Sequence, residues 1–220
     1  FEGVHDPITA TVFALKQDGR QMVWVSMDVS GVQEKMAGRI ADCAAERGAD
    51  IRYEDLVIGG THTHSGPILG KYFYCSEVDE EYLALVAERT GVAIAEACRD
   101  EGEEVELYYS ELWIDGLYSN RNDRNKLSDK RVQLLGFFHE GKAVGILCNL
   151  AHHGTVLGPD NMQVSGDLMG AMRPYLEKEF QAPVFMSQGN AGDMGNKQYR
   201  NGNDFEALSG QAWNICDQIR

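Results

Sequence analysis

A layered α/β domain, a mixed β-sheet flanked by helices, is the fold class this chain predicts. Three observations carry that expectation. Short alternating or apolar runs of strand length recur between longer stretches with helical periodicity. The 220 residues are enough for one sizeable domain with a full core. No internal repeat or low-complexity segment interrupts the alternation of strand and helix.

The elements follow in order. Gly3-Val4-His5-Asp6-Pro7 is a turn-rich entry. Ile8 to Leu15 alternates, Gln17-Asp18-Gly19-Arg20 supplies a tight turn, and Met22 to Met27 reads as the return strand of a hairpin. Asp28 closes that strand, where it would serve either as a ligand-binding group or as a cap for the next helix. Gln33 to Gly48 is rich in Ala, Glu, Lys and Arg and predicts a helix stopped by Gly48. Leu56-Val57-Ile58, bounded by Gly59-Gly60, predicts a buried strand that runs out into a loop.

Val78 to Cys98 predicts a long helix with Leu83, Val86, Ala87, Thr90 and Ile94 on its core stripe. Val105 to Ile114 is β-like, and Tyr118 to Asn125 is a polar loop dense in guanidinium and amide groups. Arg131 to Phe138 and Ala143 to Leu150 flank Glu140-Gly141-Lys142 as a second hairpin. Ser165-Gly166-Asp167 opens a helix in which Pro174 should introduce a kink or leave one backbone bond unmade. Pro183 to Ser187 is a short strand, and Asp204 to Ile219 a closing helix.

Composition bounds the function. Apolar residues make up 43% and charged residues 25%, ordinary for a globular chain. A net charge of −14 argues against nucleic acid and anionic membrane surfaces as partners. No apolar run approaches the roughly 20 residues of a transmembrane helix. Acidic clusters such as Asp79-Glu80-Glu81 read as solvated helix ends. Cys43, Cys75, Cys98, Cys148 and Cys216 are scattered, odd in number and without a CxxC pair. They read as reduced core residues, which favours a cytoplasmic setting.

Chemistry-bearing residues gather at predicted strand ends. Thr61-His62-Thr63-His64-Ser65 follows one strand, and period-two alternation sets His62 and His64 on one side. Two such imidazoles make half a metal site or an acid/base pair. Ala151-His152-His153-Gly154-Thr155 follows another strand, and Gln188-Gly189-Asn190-Ala191-Gly192-Asp193 a third. Strand ends of this kind converge on one crevice in α/β sheets. Histidines from two strands with oxygen ligands predict a zinc site with a position open to water. Adjacent His152 and His153 cannot both face one ion from extended backbone, so one is outside the ligand set. Gly189-Asn190-Ala191-Gly192 lacks the lysine of a phosphate loop, and no GxSxG elbow is present.

Thr61 to Pro67, reading THTHSGP, resembles the signature of the neutral/alkaline non-lysosomal ceramidase family. Ala151 to Thr155 resembles its second histidine motif, and Gly158-Pro159-Asp160-Asn161 through Asp167 the segment that follows it. Ser119-Asn120-Arg121 and Gln188 to Asp193 resemble its Asn-Arg pair and glycine-rich loop. The resemblance implies a zinc-dependent hydrolase of amide (N-acyl) or related bonds acting on a small or lipid-like substrate. It implies His62 and His153 as zinc ligands, and His64 and Arg121 along the substrate. Asn120 and Gly192 fall beside them as substrate-binding positions. It further implies that residues 1–220 form one ceramidase-like catalytic domain in part. Its start, its later half with a Glu and a Tyr ligand, and an immunoglobulin-like tail would lie outside.

One departure stands out. Gly195 occupies the place of the motif serine in Gly192-Asp193-Met194-Gly195-Asn196, and glycine has no nucleophile. Metal-activated water, assisted by Asp193, is then expected in its place. The alternative is a catalytically inactive, ligand-binding relative.

Overall fold

The fold is described from a computed structural model, for residues 1–72 and 77–220. The elements are β1 (Gly3–Val4), β2 (Ala10–Gln17), β3 (Arg20–Met27), α1 (Glu34–Glu46), β4 (Leu56–Gly60) and α2 (Glu80–Arg99). There follow β5 (Glu106–Trp113), β6 (Ser119–Asn120), β7 (Arg131–His139), β8 (Lys142–Leu150), β9 (Gln163–Val164) and α3 (Asp167–Phe180). Last come β10 (Val184–Gln188), β11 (Met194–Gly195) and α4 (Phe205–Ile219).

The α/β layering is as expected, with the mixed β-structure divided, among the described residues, between two larger sheets. The first has the order β2-β3-β4, antiparallel then parallel. The second has the order β10-β8-β7-β5, with β10 parallel to β8 and the rest antiparallel. Short pairs β1-β9 and β6-β11 fasten loops beside them. Both tight hairpin turns carry positive φ, at Asp18 and Gly19 and at Glu140 and Gly141, the pattern of turns that match strand twist.

Each sheet has its own helical layer. Val23, Val25, Ile40, Ala87 and Ile94 bind the first sheet to α1 and α2 in one apolar core. Cys148, Leu168, Met172, Met186 and Ile215 bind the second to α3 and α4 in another. The helix stripes therefore face as their periodicity predicts, and the Asp79 side chain caps α2 by accepting from Tyr82 N. The inner faces of the sheets meet through aromatic contacts: Phe13 lies 5.5 Å from Phe137 and 5.4 Å from Phe185, ring to ring. Gly145 makes room for this, since a Cβ there would stand 2.9 Å from Phe13 Cζ. The result is an α/β/β/α stack. An apolar groove of about 470 Å³ opens between the sheets, flanked by Trp24, Val57, Tyr109 and Leu135 and by Phe185 of β10.

α3 runs as one helix through Pro174. Cys43, Cys98, Cys148 and Cys216 are free thiols, and Cys75 lies outside the described residues. Among the described residues no helix is long and apolar enough to cross a membrane.

The topology places the site. The parallel pairs β3/β4 and β8/β10 are each joined through a helix, so the carboxyl ends within each pair lie together. An isolated parallel bridge between Thr63 and Gly154 then joins the chain beyond β4 to the chain beyond β8. Two strand ends from different sheets thus run side by side.

Candidate metal centre

His62, His64 and His153 meet at this junction. One ring nitrogen from each lies within 4.8 Å of the others, so His62 and His153 are close enough to share one ion. His62 and His153 stand edge to face, with ring centroids 4.4 Å apart. His62 reaches the cluster by a route alternation does not predict: its φ is +67°, in the left-handed region. That turn lets Nδ1 donate to Ser30 O at 2.5 Å. His153 Nδ1 donates to Ala191 O at 3.1 Å. A carbonyl accepts and never donates, so in its neutral form each ring carries its proton on Nδ1 and keeps the Nε2 lone pair free. This is the usual outer support of metal-binding histidine. The residues fit a zinc ion on that count.

His64 is exposed at the mouth. Its Nε2 lies 3.4 Å from His62 Nε2. Two nitrogens each about 2.0–2.1 Å from one tetrahedral zinc stand roughly 3.3–3.4 Å apart. Desolvation in the cluster, then the neighbouring His62, His153 and Arg121, push the His64 pKa down to about 4. Desolvation also lowers that of His153, partly offset by the Ala191 bond. The His64 and His153 imidazoles are therefore neutral near pH 7, the form that binds metal.

His152 does not join them. It is 1% exposed, packs edge-on against Tyr118, and neither ring nitrogen has a partner among the described residues. The neighbouring histidines thus point opposite ways, as extended backbone requires.

The remaining candidates lie along the loop after β10. Asn120 Nδ2 donates to Asp193 Oδ2 at 2.9 Å, and Arg121 N donates to Asp193 O at 2.7 Å. The β6-β11 pair sets Met194 opposite Asn120 and Gly195 opposite Ser119. Asn120, Arg121, Asp193 and Gly195 thus form one unit, and Ala191 couples it to His153. Gly192 is exposed, with open space where a Cβ would be. A Cβ at Gly195 would stand 3.5 Å from Arg121 Cβ, an ordinary contact, so its lack of a side chain is not forced by packing.

The partners of several supporting residues escaped the sequence reading. Asp28 is neither an open ligand nor a helix cap. It is buried and receives Arg173 Nη1 and Nη2 at 3.0 and 2.8 Å, Thr9 N at 3.0 Å and Thr61 Oγ1 at 3.1 Å. Asp167 accepts from Val156 N and Leu157 N, while Arg200 donates to Thr155 O and Val156 O, gripping the loop after His153 from two sides. Gln188 bonds to the residue before each inward histidine, Thr61 and His152. The strand-end position of Asp28 and Gln188 was the available signal; their partners come from distant elements with no local pattern. A second cavity, of about 840 Å³, lies at the other end of the first sheet beside Arg20, Gly48 and Arg99, and no histidine lines it.

No family model matches the chain. Solved structures do share its fold. One, titled a ceramidase complexed with C2, aligns with a TM-score of 0.82 at 17% identity over 98% of this chain and 38% of that one. Another, neutral ceramidase from Pseudomonas aeruginosa, aligns with a TM-score of 0.82 at 18% identity over 98% and 39%. The chain therefore has the fold of a ceramidase segment and spans about two fifths of the length of those structures.

Proposed function

We propose that this chain, built on the fold of a ceramidase segment, is the histidine-bearing part of a zinc-dependent hydrolase acting on an amide bond. The observation that carries the reading is the convergence of three imidazoles from two sheets, with Nδ1 of His62 and His153 bonded to carbonyls. His62 and His153 would hold the ion through Nε2. A zinc ion bound there supplies Lewis acidity and makes water acidic enough to ionise near neutral pH.

The chain's own groups account for the rest. Arg121 is near enough to His64 to depress its pKa, and would hold the carbonyl oxygen of an N-acyl substrate. His64, neutral at pH 7, would accept or return a proton at the mouth. Asn120 fixes the Asp193 carboxylate, the candidate for orienting water, and the bare backbone at Gly192 leaves room for substrate. With Gly195 in place of a hydroxyl, the reaction would pass through no acyl-enzyme.

Zinc content and hydrolysis of a panel of N-acyl substrates test this together. One bound zinc, turnover of at least one amide and no burst of acylated protein are expected. Absence of zinc from metal-supplemented protein overturns it. His62→Ala should abolish zinc binding, while His64→Ala should retain zinc and lose activity. The 3.4 Å between His62 and His64 favours a second reading in which His64 is a third ligand. Equal zinc loss in both variants would establish that reading instead. Gly195 likewise favours an inactive, ligand-binding role, which zinc binding without turnover of any N-acyl substrate would reveal.

A further inference from the structure

The loops that carry His62 and His153 belong to different sheets, so something must fix their spacing. Beyond the histidines they are tied by the Thr63–Gly154 bridge, in which His64 N donates to Gly154 O at 3.1 Å. The fit there is close: a Cβ on Gly154 would stand 2.4 Å from His62 O. Before the histidines, among the described residues, neither backbone bonds to the other. A single side chain fills that place. Gln188, the last residue of β10, donates from Nε2 to His152 O at 2.8 Å and to Thr61 O at 3.3 Å. Its Oε1 accepts from His152 N at 3.3 Å. A primary amide suits the task because it carries two donors and an acceptor on one planar group.

We infer that Gln188 is a positioning residue that sets the distance between His62 and His153 by clamping the residue before each. The inference rests on the metal-centre reading for its consequence, though not for its geometry. Neither methionine nor glutamate can replace the amide fully. Methionine keeps the volume and makes none of the three bonds. Glutamate keeps only the bond from His152 N and sets a carboxylate against two carbonyls.

The test compares the intact protein with Gln188→Met, Gln188→Glu and, as a control, Gln211→Met. Gln211 donates to Leu117 O from α4, in the second core and outside the histidine cluster. Zinc affinity is read by chelator competition. Weakening of about 10–100-fold is expected in both Gln188 variants, as for other outer-shell partners of metal ligands. Gln211→Met should change it less than twofold. The second readout needs no metal: a nuclear Overhauser contact between the His62 and His153 rings, 4.4 Å apart by centroid. It should fade in Gln188→Met of folded protein and persist in Gln211→Met. Unchanged zinc affinity, or an undiminished ring contact, in Gln188→Met overturns the inference. If the unsubstituted protein binds no zinc, the hydrolase reading fails by itself and the ring contact alone decides the clamp.

Discussion

His152 is the residue at which burial and titration meet most directly. Burial pushes its pKa down to about 3 from an ordinary 6.5, so the folded chain holds it neutral while the unfolded chain protonates it freely. Between those values the unfolded state binds more protons, and stability must fall as pH falls. The slope from one such group is at most about 1.4 kcal/mol per pH unit. His64 adds in the same direction between about 6.5 and 4, with a smaller effect because it is exposed. Denaturant titrations of metal-free protein should show this decline starting below about pH 6.5. His152→Phe, whose ring can keep the packing on Tyr118, should flatten it; an unchanged slope would mean that His152 is not the group titrating. Arg173 tests burial of the opposite kind. Arg173→Met strips Asp28 of its countercharge while leaving it enclosed, and should cost about 3–5 kcal/mol. A loss below about 1 kcal/mol would show that Thr9 and Thr61 suffice to hold the carboxylate.

Pairing of whole elements depends on close approach at a few places. Gly91 of α2 faces α1 so tightly that a Cβ would stand 2.7 Å from Cys43 Cβ and 2.9 Å from Ala44 N. Gly91→Ala improves helix propensity by about 1 kcal/mol. Overpacking against α1 backbone costs about 1–3 kcal/mol. The sum favours loss, so the variant should melt at lower temperature; a higher melting temperature would mean that the helices can slide apart freely. Element identity was plain in the sequence because periodicity is local: β4 occupies Leu56–Gly60, and the long helix follows as Glu80–Arg99. The division into two sheets was not legible. It depends on Phe13 finding Phe137 and Phe185 far along the chain, and alternation says which face is apolar without saying what covers it. The β6-β11 pair was hidden for a related reason, since two residues in a polar loop carry no period. At the site, the histidines were legible from their strand-end positions, whereas Gln188, Asp167 and Arg200 act on backbone groups that any sequence would offer.

At the level of the whole molecule, the candidate centre draws on both α/β layers, so binding of an ion there would couple to overall stability. Zinc at about 100 times its dissociation constant should raise the unfolding free energy by about 2.7 kcal/mol. Calorimetry with and without zinc measures this directly. His62→Ala should abolish the increment, and an equal increment in that variant would place the stabilising ion elsewhere.

The two apolar cores are also segregated along the chain. The first draws on residues between Val12 and Cys98, the second on residues between Leu112 and Ile219. A ribosome releases the first set before it has made the second, and domains tend to form from the amino end as they emerge. His62 and His64 can therefore take shape on a finished layer while His153 is still untranslated. On the proposed reading, binding of an ion between His62 and His153 would then have to wait for the last strands to dock. The cluster would in that sense be a clock as well as a site: arrival of an ion there would date the moment at which the nascent chain becomes one object.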